Sequence, residues 1–196
     1  MADPKELSLD QLVSGRLQVL QNARDLIRDA EVLLSQGRSS RAFFLSCIAI
    51  EESGKYLMIM SAILQSITGE VDWRGFWRRF KNHIEKTGNI VTFDAVLAGS
   101  LGESDLARIL KRLNEEPLRR ERSKLASLYV DYCDGGFSLP MTLFDEPSAR
   151  AILSDAQAVL AFLESVEQEI SSRADFHRPT PKIIAQIRGK YGIPPK

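Results

Sequence analysis

The run from Ala42 to Leu64, AFFLSCIAIEESGKYLMIMSAIL, is apolar on nearly every side of a helix. Such a helix is covered on most faces once folded, so the chain must supply other helices to wrap it. Glu51, Glu52 and Lys55 interrupt the run at its centre. Three ionisable groups there count against a transmembrane span. The requirement is a central bundle helix with charge inside it.

The rest of the sequence offers the wrapping helices. Over 8–36, Leu9, Leu12, Val13, Leu17, Leu20, Ala23, Leu26, Ile27, Ala30, Leu33 and Leu34 recur at spacings of three and four, one apolar stripe. Ser8 with Gln11 can close a capping box, and Gly37 is placed to end the helix in a left-handed conformation. A second helix over about 40–66 follows a short link, which predicts an antiparallel neighbour. The stretch 67–103 breaks the pattern; it predicts a short helix near 73–86 and a loop after it. Further helices are predicted over 105–114, over 117–132 with Pro117 in its first turn, and over 147–173. Asp134-Gly135-Gly136 would end the 117–132 helix, and the tail predicts a short helix from Lys182 to Tyr191. No β-alternation of useful length is present. The expectation is an all-α protein with one domain over 1–196. It is a four-helix up-down bundle with a helical insertion (67–103) between the second and third core helices, and a short helix in the C-terminal tail (174–196).

Composition narrows the function. Lys+Arg and Asp+Glu are both 26 in 196 residues, so a chain-wide basic surface for nucleic acid is excluded while a local basic site is not. Cys47 and Cys133 lie far apart with no CxxC, which predicts reduced thiols. The N-terminus has neither a basic nor an apolar leader region. These features predict a soluble cytoplasmic protein.

Charge is concentrated in three segments. In the first, Glu51 and Glu52 emerge from apolar surroundings and Lys55 shares a helix face with Glu51. Burying ions costs several kcal/mol each unless they are paired, so the group is either a structural ion pair or one wall of a functional cleft. In the second, Arg78-Arg79-Phe80-Lys81-Asn82-His83 is followed by Lys86. On one helix Arg79, His83 and Lys86 would share a face. Histidine serves as acid or base near neutral pH and arginine binds phosphate, although a satisfied structural histidine fits as well. The third runs from Arg119 through Arg122 to Lys124 and on to Tyr129 and Asp131. It reads equally as an anion site or as a solvated face.

Other chemistry lacks its signature. There is no Walker A pattern and no GxGxxG. The residues three before His83 and His177 are Phe80 and Ala174, so the Glu-x-x-His of di-iron bundles is missing. A metal held by Glu51, Glu52 and His83 is conceivable, but no metal and no cofactor is expected.

AIEESGK at 49–55, FWRRFKNHIEK at 76–86 and RSKLASLYVDY at 122–132, with Pro140 beyond, together resemble the AbiV family of abortive infection proteins, part of the HEPN superfamily. The likeness spans about residues 10–172. It implies a HEPN-like bundle, a homodimer, and a bacterial role in defence against phage. Many HEPN proteins are metal-independent ribonucleases with an Arg-x4–6-His motif. Carried over, Arg78 would bind the scissile phosphate and His83 would assist proton transfer as the RNA 2′-hydroxyl attacks. Glu51, Glu52, Lys55, Lys86, Arg119, Arg122, Tyr129 and Asp131 would orient the pair or bind RNA. The usual motif lies on a core helix, whereas here the 117–132 helix has no histidine and the literal match lies in the insertion. The resemblance equally implies a non-enzymatic alternative, in which the chain binds a phage or host protein and translation stops.

Overall fold

The computed structural model describes residues 5–97, 103–133, 135–172 and 185, and the side chains of 91–114 and 133 lie outside that description. Helix α1 (Leu9–Ser35) starts at the expected capping box, with Gln11 N–H donating to Ser8 Oγ (3.2 Å) and Ser8 N–H to Gln11 Oε1 (2.9 Å). It ends in a Schellman motif: Gly37 has φ +71, its N–H reaches the Leu34 carbonyl (3.0 Å), and Arg38 N–H reaches that of Leu33 (2.9 Å). Helix α2 (Ser39–Thr68) turns straight back. Leu12 and Val13 near the start of α1 pack against Ile63 and Ile67 near the end of α2, so the two are antiparallel.

Helices α3 (Trp73–Lys81), α4 (His83–Leu97) and α5 (Glu103–Ala126) follow, then a hairpin of β1 (Asp131–Cys133) and β2 (Gly136–Ser138), a single turn α6 (Pro140–Leu143), and α7 (Glu146–Ser172). Helix α7 lies along α1, with Glu164 bonded to Arg24 (2.5 Å) and Gln157 to Glu31 (2.7 Å). It buries Ala149, Ile152, Leu153, Ala156, Leu160 and Leu163. Helix α2 is the central element, touched by α1, α3, α4, α5, α6 and α7, as its all-round apolar surface requires. Buried Arg16 ties the far end together. Its Nη2 donates to Glu167 (2.9 Å), whose other oxygen accepts from Tyr56 Oη (3.0 Å).

The middle of the chain departs from the sequence expectation. The predicted 73–86 helix is two helices, and the predicted loop beyond it is helical to Leu97. Asn82 makes the break: its backbone is extended (φ −87, ψ 116), and its Oδ1 accepts from Ile84 N–H (3.0 Å) and Glu85 N–H (3.4 Å). It is therefore an N-cap inside what read as one helix. Beyond it, α5 runs through Pro117 instead of restarting there. The proline ring is buried, with Gly88 of α4 nearby, and packing overrides the local breaking signal. α5 then stops at Ala126 rather than 132. Tyr132 pairs with Phe137 across the hairpin, and Gly135 (φ +83) serves that turn rather than a helix end. The predicted helix over 182–191 lies outside the described residues.

No helix among the described residues is long and apolar enough to cross a membrane. Cys47 is a free, buried thiol, and burial pushes its pKa up to about 12.

Candidate functional site

Glu51 is only 4% exposed on α2, yet both of its carboxylate oxygens are engaged by groups from other helices. His83 Nδ1, on the first residue of α4, lies 2.6 Å from Oε2, and Lys86 Nζ one turn later lies 3.7 Å from the same atom. Lys124 Nζ of α5 lies 2.5 Å from Oε1 and also 2.6 Å from Glu121 Oε2. Lys86 and Lys124 are each 4% exposed. Burial lowers the Lys86 pKa, and the Glu51 charge offsets that only in part. Burial acts on Lys124 as well, but its hydrogen bonds to Glu121 and Glu51 outweigh it, and the pKa is raised. One ammonium has two carboxylates in contact; the other has one at a distance.

Gly54 lets this happen. It sits one turn after Glu51 on α2, and a Cβ there would run into the Lys86 carbonyl oxygen and lie 2.7 Å from its carbon. The backbones of α2 and α4 therefore cross in contact, which brings His83 and Lys86 over Glu51. The glycine of Glu-Glu-Ser-Gly-Lys is part of the site although it carries no chemistry.

The hydrogen bond fixes the tautomer of His83. An ionised carboxylate only accepts, so Nδ1 must donate to Glu51, and in neutral imidazole the lone pair is then on Nε2. Lys86 Nζ, 3.4 Å from the same Nδ1, is accordingly held by the carboxylate rather than by the ring. The imidazole side chain is 54% exposed, and Nε2 has no protein partner among the described residues. This is a base oriented from beneath by a buried carboxylate, the arrangement that general acid–base chemistry needs.

The other expected site residues are distributed differently. Glu52, adjacent to Glu51, faces the α1–α3 side; it pairs with Lys55, whose ammonium lies 5.5 Å above the Phe80 ring. The segment 51–55 therefore serves two sides of α2 rather than one cleft. Arg78 is exposed, makes no ion pair among the described residues, and is separated from His83 by the Asn82 break, so the two do not share one helix. Arg119 and Arg122 are exposed on α5. Tyr129 and Asp131 lie past its end, exposed, with Asp131 Oδ1 accepting from Tyr132 N–H (2.8 Å). The third segment reaches Glu51 through Lys124 instead, which is also bonded to Glu121; the sequence places both in the charged segment but does not single them out as site residues. Their spacing of three on a helix was the available signal.

Ligand atoms of Glu51, His83 and Glu121 lie within 4.8 Å of one another, a set that includes Glu121 where Glu52 was considered. Two carboxylates and an imidazole can hold a divalent ion. Here the Lys124 ammonium already bonds both carboxylates, so a cation entering the cluster would have to displace it.

No curated protein and no solved structure matches this chain. The HEPN_AbiV family model, described as AbiV, matches residues 11–161. That span holds every residue of the Glu51 cluster together with α2 and most of α1 and α7. The chain belongs to the AbiV family of HEPN domains, a family of abortive-infection proteins.

Proposed function

We propose that this defence protein acts in the cytoplasm as a metal-independent ribonuclease with His83 as its general base. The observation that carries this reading is the 2.6 Å bond between the half-exposed His83 and the buried Glu51. In the proposed step, Nε2 accepts the proton of an RNA 2′-hydroxyl. The 2′-oxygen attacks the adjacent phosphorus and the P–O5′ bond breaks. The 5′-oxygen leaves and takes a proton from solvent, giving a 2′,3′-cyclic phosphate and a 5′-hydroxyl end. Arg78, an exposed guanidinium without an ion pair among the described residues, is available to bind the phosphate. Lys86 and Lys124 place positive charge beneath the dyad. Family membership supports a homodimer as the working form, since HEPN domains often dimerise.

The test is incubation with single-stranded RNA in EDTA, with product ends identified. Wild type should cut and leave cyclic phosphates. His83→Ala should cut about 10²–10⁴-fold more slowly with unchanged circular dichroism, the usual contribution of a general base. Equal cutting by the two proteins removes His83 from the mechanism.

A second reading, binding of a phage or host protein, is favoured by the hairpin region. Phe137 is 80% exposed beside Tyr132, and Leu139, Met141 and Leu143 are exposed just beyond. Exposed apolar side chains grouped in one short stretch of chain are candidates for an interaction face.

A further inference from the structure

The N-terminus of α2 opens into a groove of about 490 Å³ between that helix, the residues after α5 and the turn α6. The volume is in the range of small-ligand sites. Arg38, Ser39, Ser40 and Arg41 form its polar side, and the exposed Val130, Leu139 and Met141 form an apolar one. Glu51 lies ten residues beyond Arg41 on α2, about 15 Å at the rise of a helix, so the groove is separate from the His83 site.

Two independent observations point to an anion. The first is a helix start left open. Arg38, at the N-cap of this 30-residue helix, offers no side-chain acceptor, and the N–H groups of Ser39 and Ser40 have no acceptor among the described residues. Free N–H groups at the positive end of a helix suit an oxyanion. The second is Ser40. It is 7% exposed and lines the groove, and its hydroxyl has no hydrogen-bond partner among the described residues. Ser46 and Ser53, buried further along the same helix, each donate to the carbonyl four residues back (2.9 and 3.0 Å). Ser40 makes no such bond, which leaves its donor for the groove.

Charge selects the kind of anion. Neither Arg38 nor Arg41 has an ion pair among the described residues. Arg41 is held on the lining by Nη1, which donates to the Leu128 carbonyl (2.8 Å). The acid on the lining, Asp145, is turned to α7, where it accepts from Ser148 N–H (2.9 Å). Two guanidiniums and a helix N-terminus match the roughly −1.5 to −2 charge and three terminal oxygens of a phosphate monoester better than the single charge of a carboxylate. The apolar side adds nothing for free phosphate but suits the organic part of an ester. We propose that this groove binds the phosphate monoester of a small organic molecule. The phosphate sits on the α2 N-terminus, Ser40 and the two arginines, and the organic part lies on Val130, Leu139 and Met141. The inference does not rest on the ribonuclease reading.

The test is isothermal titration calorimetry of the full chain in chloride buffer at neutral pH, with phenyl phosphate, inorganic phosphate and benzoate. Phenyl phosphate should bind about tenfold or more tighter than inorganic phosphate, the worth of burying an apolar group of that size. It should also bind about tenfold or more tighter than benzoate, which carries less charge and fewer acceptors. Arg38→Gln and Ser40→Ala should each weaken phenyl phosphate about tenfold, the usual loss of a hydrogen bond to a charged group. Arg38 is exposed, so its replacement tests the site even where Ser40→Ala folds poorly. No binding of phenyl phosphate at millimolar concentration overturns the proposal, as does unchanged affinity in both variants. Benzoate binding as tightly as phenyl phosphate makes the groove a carboxylate site and overturns the phosphate assignment. Inorganic phosphate binding as tightly overturns the role of the apolar side and with it the ester.

Discussion

Gly54→Ala should destabilise the protein by about 3 kcal/mol, the upper end of the usual cost of overpacking, and should silence the His83 site at the same time. Helix propensity alone predicts the opposite sign, since alanine is favoured over glycine by about 1 kcal/mol in a helix interior. The contact with Lys86 decides the outcome. A methyl at position 54 runs into backbone rather than a flexible side-chain end, so α4 must move off α2, carrying His83 and Lys86 away from Glu51. Thermal or urea denaturation gives the stability change, and RNA cleavage on the folded fraction gives the activity. A variant that is more stable than wild type and fully active would mean that the two helices do not cross as closely as described.

Glu51→Leu should cost about 3–5 kcal/mol, because it leaves two buried ammoniums without their shared carboxylate. The double variant Glu51→Leu/Lys124→Met should recover part of that loss, since apolar side chains of similar volume replace the Glu51–Lys124 pair at little cost while Lys86 stays without its carboxylate. A double-mutant cycle by denaturant titration measures the coupling. The pH dependence has a definite sign. The folded-state pKa of Lys124 is raised above 10.5, so its contribution is complete below that pH and is lost as pH rises through the folded value. Lys86, whose pKa is lowered from 10.5, acts in the opposite direction: stability rises with pH between its folded and unfolded values. Alkaline stability curves for Lys86→Met and Lys124→Met should therefore differ from wild type in opposite directions.

The sequence spells out α1 plainly, because stripe, cap and terminating glycine agree with one another, and α2 and α7 are legible from their apolar residues. Asn82 was missed as a boundary because its neighbours on both sides favour helix, although Asn82 followed by Glu85 three residues on is an N-cap pattern. Pro117 misled in the other direction, because burial against α4 outweighs its usual role. The hairpin was overlooked because its strands are three residues each, too short for alternation to register, although Asp134-Gly135 is a recognised turn dipeptide. At the site, Glu51 and His83 stood out as charge and imidazole near apolar surroundings. That they meet depends on the α2–α4 crossing, which no local pattern encodes. Glu51 and Glu52 looked like one acidic pair, yet successive residues on a helix diverge by about 100°, and the two meet different partners.

If His83 is the general base proposed above, defence depends on its bond to Glu51. The most direct measurement is the plating efficiency of phage on bacteria producing wild type, His83→Ala or Phe137→Asp at equal levels of folded protein. Wild type should lower plating, and His83→Ala should restore it to the level of cells without the protein. Full protection by His83→Ala together with its loss in Phe137→Asp would remove His83 from defence and move the function to the apolar hairpin face.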